Sequence, residues 1–206
     1  MAWEIGKRWR AWPAGKIFPA RVAYRVPGQV LDSKADLRLS ARRVGIAPEA
    51  HCAAAADRPA ARVLARYGCT AVLRATYADA TGAFVTTVGV VVLRGARDGI
   101  AAQRSLPGSA GMRHDLRPGV HAAPFPGTLT ASFADRSRQV SSSIPAGPYL
   151  VMYTAGYADG RPHQGGVSDE YAVGELVSAS EGIAANIASR IGALPAPPHC
   201  PGTAGC

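Results

Sequence analysis

Residues 68–93 read GCTAVLRATYADATGAFVTTVGVVVL. Two runs rich in Val, Thr and aromatic residues, Cys69 to Ala78 and Phe84 to Leu93, flank Asp79-Ala80-Thr81-Gly82. β-Branched and aromatic side chains fit the pleated surface of a strand. An Asp-led turn ending in Gly, set between two such runs, signals an antiparallel hairpin. The most apolar stretch, Val88 to Leu93, has strand length and is far too short to span a bilayer.

Helical periodicity lies just upstream. Ala60, Val63, Leu64 and Tyr67 recur at i, i+3, i+4, i+7. Asp57 stands at the N-cap, Pro59 in the first turn and Gly68 at the stop, which predicts a helix over 57–67. Further out, strands are predicted over 17–26, 37–46, 128–134, 139–144 and 149–157, with a short helix over 96–105. Residues 107–127 contain four prolines and no periodicity, so they read as a long loop. A long helix is predicted over 169–191, capped by Ser168, with Val173, Leu176, Ile183, Ile187 and Ile191 on its buried face. The expected fold is α+β: a mainly antiparallel sheet packed with two or three helices. Its expected core holds Val63, Leu64, Leu73, Val88, Val90, Leu150, Met152, Leu176, Ile183 and Ile187. A faint echo, Ala75-Thr76-Tyr77-Ala78-Asp79 against Ala155-Gly156-Tyr157-Ala158-Asp159, ends both predicted strands at an Asp-led turn.

Hydrophobic residues make up 48% of the chain and charged residues 18%, which excludes a disordered composition. The 206 residues divide into a basic Trp-rich segment (1–15), one domain (16–194) and a Pro/Gly-rich tail (195–206). The net charge of +9 is unevenly spread. Residues 1–43 hold ten cationic side chains against three carboxylates, a net +7. A basic end on a nearly neutral body points to an anionic neighbour. Nucleic acid is not expected, because no basic run is interleaved with stacking aromatics.

The four cysteines, Cys52, Cys69, Cys200 and Cys206, include no C-x-x-C pair, which favours disulfides over redox or zinc chemistry. Four cysteines allow three pairings, and locality favours Cys52–Cys69 with Cys200–Cys206. Disulfides imply an extracytoplasmic domain, and with no signal segment in sight, Met1 reads as a start placed after a removed export signal or anchor.

No residue set carries a catalytic signature. His51, His114, His121, His163 and His199 fall in predicted loops, and no G-x-S-x-G occurs. Ligand spacing for a metal is lacking, so no metal or other cofactor is expected. Asp79, Asp159 and Arg161 would line a shallow polar site if their two turns lie together. The strongest binding signal is at the N-terminus: Trp3, Trp9 and Trp12 are mixed with Lys7, Arg8 and Arg10. Trp rings sit at lipid headgroup depth, and cationic side chains attract anionic lipid.

The segments WRAWPAGKIFPARVAY (9–24), GCTAVLRATYADATGAFVTTVGVVVL (68–93), AGPYLVMYTAGYADGRP (146–162) and the PPHCPGTAGC tail resemble a group of envelope proteins of high-GC Gram-positive bacteria. Those proteins carry an N-terminal membrane helix and a single outer domain. The resemblance implies location and architecture, not an activity. In element order alone the chain is also similar to the extracellular sensor domains of bacterial receptor kinases. The expectation is therefore a non-enzymatic domain, membrane-anchored through a helix preceding Trp3, that binds an envelope protein partner or the envelope surface. A ligand-binding sensor is the alternative, and a hydrolase ranks third.

Overall fold

The computed structural model describes residues 10, 12–95, 97–108, 116–163 and 170–193. In chain order the elements are α1 (Ala14–Ile17), β1 (Arg21–Val26), β2 (Leu37–Ala50), α2 (Cys52–Ala55), α3 (Arg58–Arg66), β3 (Ala71–Ala78), β4 (Phe84–Val92), α4 (Asp98–Ser105), β5 (Arg138–Ala146), β6 (Tyr149–Tyr157) and α5 (Glu170–Ala193). All six strands form one sheet of order β1-β2-β3-β4-β6-β5, antiparallel at every step. The fold is α+β, as the sequence predicts.

The hairpin at 68–93 sits at the centre. Ala71 pairs with Val92 and Ala78 with Val85, across a turn that Asp79 closes by accepting from Thr81 and Phe84. Every side chain of β4 is buried, because layers cover both faces of the sheet. On one face, Tyr77, Val88, Val90, Val151 and Tyr153 pack with Ile183, Ile187 and Ile191 of α5 and with Val22 and Tyr24 of β1. On the other, Val72, Val91, Leu150 and Met152 pack with Val63 and Leu64 of α3, Ala102 of α4 and Val120. Such two-sided burial explains why β3, β4 and β6 read as near-continuous apolar runs rather than alternating ones.

Cys52 and Cys69 are bridged, with Cα atoms 6.3 Å apart. A ten-residue helix spans about 15 Å, so Ala53–Ala56 must double back along α3. They do so as the single turn α2 followed by extended Ala56. Gly68, at φ +65°, supplies the left-handed residue that ends α3 and turns the chain into β3. Cys200 and Cys206 lie outside the described residues.

Several expectations are corrected. Thr128–Ala134 is not a strand. Thr128 Oγ1 donates to the Phe125 carbonyl (2.7 Å) and accepts from the amide of Thr130 (3.2 Å), while the Ala131 and Phe133 amides return to Thr128 and Thr130. These local hydroxyl and amide bonds make consecutive turns, competing with ladder formation. The first strand begins at Arg21 rather than Ile17, because Ala14–Ile17 closes one helical turn. β2 runs on to Ala50 through two register shifts. Nine of the ten expected core residues are buried; Leu73 is only half-buried. It stands on β3, to which α5 contributes little cover, since that helix packs on β1, β4, β5 and β6. Asp57 occupies the N-cap position of α3, but its carboxylate makes no cap bond. Ser168 lies outside the described residues, as do the side chains of Asp169 and Val173.

Candidate functional site

The α3 face of the sheet is crossed by an irregular stretch, residues 116–134. Irregular backbone over a sheet must find hydrogen-bond partners there. The sheet provides them as hydroxyls. Thr76, Thr87, Thr154 and Ser141 occupy neighbouring register positions on β3, β4, β6 and β5. Thr76 and Thr87 Oγ1 lie 2.8 Å apart, and Ser141 Oγ donates to Thr154 Oγ1 at 2.9 Å. Thr76 also donates to the Ala123 carbonyl, and Thr87 accepts from the Ala123 amide. Gly45 lets the same stretch come close: a Cβ there would lie 2.4 Å from the Phe125 ring.

Beside this ladder lies a cluster of charged groups. Arg138, at the start of β5, donates from Nη1 and Nη2 to the two carboxylate oxygens of Asp57, both at 2.9 Å. The Gly119 amide donates to Asp57 Oδ2 at 2.7 Å, and the Asp57 amide donates back to the Gly119 carbonyl. Arg138 also reaches the carbonyls of Val120 and Asp135. Its side chain is 8% exposed and that of Asp57 20%. Burial pushes the Asp57 carboxyl upward, but the bonds from Arg138 and Gly119 outweigh it and hold the group below its usual range. His121 Nδ1 lies 2.6 Å from Asp135 Oδ2 and 3.9 Å from Asp57 Oδ1. Arg74 donates to the His121 carbonyl.

An imidazole oriented by a carboxylate is half of a nucleophile-activating pair. Among the described residues, however, the imidazole's hydrogen bonds run to carboxylate and not to a hydroxyl or thiol. Arg138 and Asp57 bond chiefly to each other and to backbone, so the cluster clamps 116–123 to α3 and β5. No cluster of three His, Cys, Asp or Glu among the described residues is arranged to hold a metal. No known protein family, curated protein or solved structure matches the chain.

The remaining candidates are placed as follows. The 79–83 and 158–161 turns do lie side by side: Phe84 pairs with Tyr157, and the Ala158 amide donates to the Ala83 carbonyl. The echo seen in the sequence is therefore one turn chemistry used twice at one sheet end. Asp79 is buried and bonded within its own turn. Asp159 is exposed and pairs with Arg161 at 2.7 Å, whose guanidinium stacks over Tyr157. Asp159 and Arg161 line one shallow cavity, Asp79 another. His51 is exposed at the start of α2 and His163 is half-buried, its amide bonded to the Arg136 carbonyl. His114 and His199 lie outside the described residues.

Trp12 is half-buried, its ring centroid 6.3 Å from that of Tyr149. The two rings help line a groove of about 500 Å³ with Ile144, Pro145, Ala188 and Ile191. Arg10 pairs with Glu49 at 3.5 Å. Trp3, Lys7, Arg8 and Trp9 lie outside the described residues. Of the described helices, none is long and apolar enough to cross a membrane. Sequence reasoning missed Arg138 and Asp135, because nothing in a chain order 78 residues apart announces that Asp57 and Asp135 meet one guanidinium. It also missed the groove, whose walls come from three separate segments.

Proposed function

We propose that this chain is the non-enzymatic, extracytoplasmic domain of a membrane-anchored envelope protein, and that it binds a partner protein in the groove between Trp12, the β5–β6 turn and the end of α5. The groove is the observation that carries the reading. It is lined by the half-buried Trp12 with Ile144, Pro145 and Pro148, over a floor formed by the buried Tyr149 and Ile191, an apolar and aromatic lining of the kind interface centres favour. The Cys52–Cys69 bridge is compatible with an oxidising compartment. The polar cluster supports a structural role, since its strongest hydrogen bonds are spent within the fold.

Photo-crosslinking in the producing cell tests the partner. A photoreactive residue is placed in the full chain at Ser189, in the groove, or at Arg62, on the exposed side of α3. One discrete adduct with a single protein is expected from position 189 and none from 62. That adduct should disappear when Trp12, the half-buried ring of the groove, is alanine. Equal adducts from both positions, or none from 189, would contradict the reading.

A further inference from the structure

The edge hairpin presents a second surface, on the side of the sheet turned away from α5 and the groove. β1 alternates exposed and buried residues, with Val22, Tyr24 and Val26 turned to the α5 core. Arg21, Ala23 and Arg25 therefore share the outer face. Their partners on β2 are Arg42, Ser40 and Arg38. Arg21 thus stands directly opposite Arg42, and Arg25 opposite Arg38, all four exposed. Like charges directly opposite on a sheet face are destabilising. Between the two pairs lie only the short side chains of Ala23 and Ser40. The pairs are separated by four residues, about 13 Å along the strand.

Counter-charge is scarce. Arg25 pairs with Asp36 at 2.5 Å. Among the described residues, no carboxylate lies within ion-pair distance of Arg21, Arg38 or Arg42. A cavity of about 340 Å³ adjoins Arg21, Ser40 and Arg42, bordered by Leu129 and Asp79. The Asp79 carboxylate already accepts from Thr81 and Phe84.

We propose that this face binds a linear, phosphate-bearing polyanion outside the cell. Guanidinium forks suit phosphate oxygens, and in-line arginine pairs suit a chain that runs along the strands. Among the described residues, the six outward positions of this pairing, Arg21, Ala23, Arg25, Arg38, Ser40 and Arg42, include no aromatic ring. These strand positions therefore give bases nothing to stack on and a lipid headgroup layer no aromatic anchor, which favours the polyanion over both. The inference rests on the extracytoplasmic reading for the polymer's location alone, and the thiol state of Cys52 and Cys69 tests that reading separately.

The test is fluorescence anisotropy of labelled long-chain inorganic polyphosphate with the full chain. R21Q/R42Q is compared with R62Q/R66Q, which removes the same charge from exposed positions on α3. Binding should weaken about tenfold in R21Q/R42Q, with the salt slope reduced by about two, and change less than about twofold in R62Q/R66Q. Because a repulsion is removed, R21Q/R42Q should melt about 1–3 °C higher than the parent, which excludes misfolding as the cause. Equal weakening in both variants, or no binding by the parent, would overturn the proposal. So would tighter binding to single-stranded DNA or to anionic vesicles that depends on Arg21 and Arg42.

Discussion

Arg138→Ala should destabilise the domain by about 3–5 kcal/mol, the usual cost of stranding one partner of a buried ion pair. The Asp57 carboxylate would lose both guanidinium bonds, and the carbonyls of Val120 and Asp135 would lose their donor. Arg138→Lys should recover only part, since an ammonium cannot reproduce the two-pronged bond. Urea unfolding at neutral pH measures both. The pH dependence has a definite sign. The Asp57 carboxyl is held below its unfolded range of about 3.8, so its contribution is complete above that value and is lost as pH falls through the lower, folded value. The stability gap between parent and Arg138→Ala should therefore narrow as pH falls below about 4. A gap under 1 kcal/mol at pH 7 would show that the clamp is not structural.

Removing the bridge should have a comparable effect. C52A/C69A opens a loop of 17 residues, which the chain-entropy model values at about 3 kcal/mol. The bridge ties α2 to the residue that leads into β3, beside Ala55, Val63, Leu64 and Val72 in the α3-side core. The loss should appear as a lower urea midpoint, with a slope equal to or above the parent's because the uncrosslinked unfolded chain is more expanded. Parent protein treated with reductant should approach the same midpoint. Identical midpoints for parent and double variant would place the stability elsewhere.

Much of the fold was legible because local signals agreed with the global arrangement. The 68–93 hairpin announced itself through strand propensity and a turn that only Asp79 and Gly82 needed to specify. Helix α3 was marked by its apolar face, Pro59 and Gly68. Other features were illegible for physical reasons. The Thr128–Ala134 segment has strand-forming residues, yet its hydroxyls close turns with their own backbone. Leu73 looks like any core leucine until the path of α5 is known. Asp57 was recognised as a helix cap, but its side chain answers to Arg138, 81 residues away. Charge on residues 1–43 was visible, whereas its concentration into two facing arginine pairs depends on the β1–β2 register.

If the domain lies outside the cytoplasm as proposed, Cys52 and Cys69 are joined in the producing cell as they are in the structure, and their thiol state there can be read directly. Acid quenching, alkylation without reductant and peptide mapping would read it. A peptide containing Cys52 joined to one containing Cys69, with neither alkylated, is the predicted result. Alkylated free thiols at Cys52 and Cys69, or either of them bridged to Cys200 or Cys206, would contradict the account.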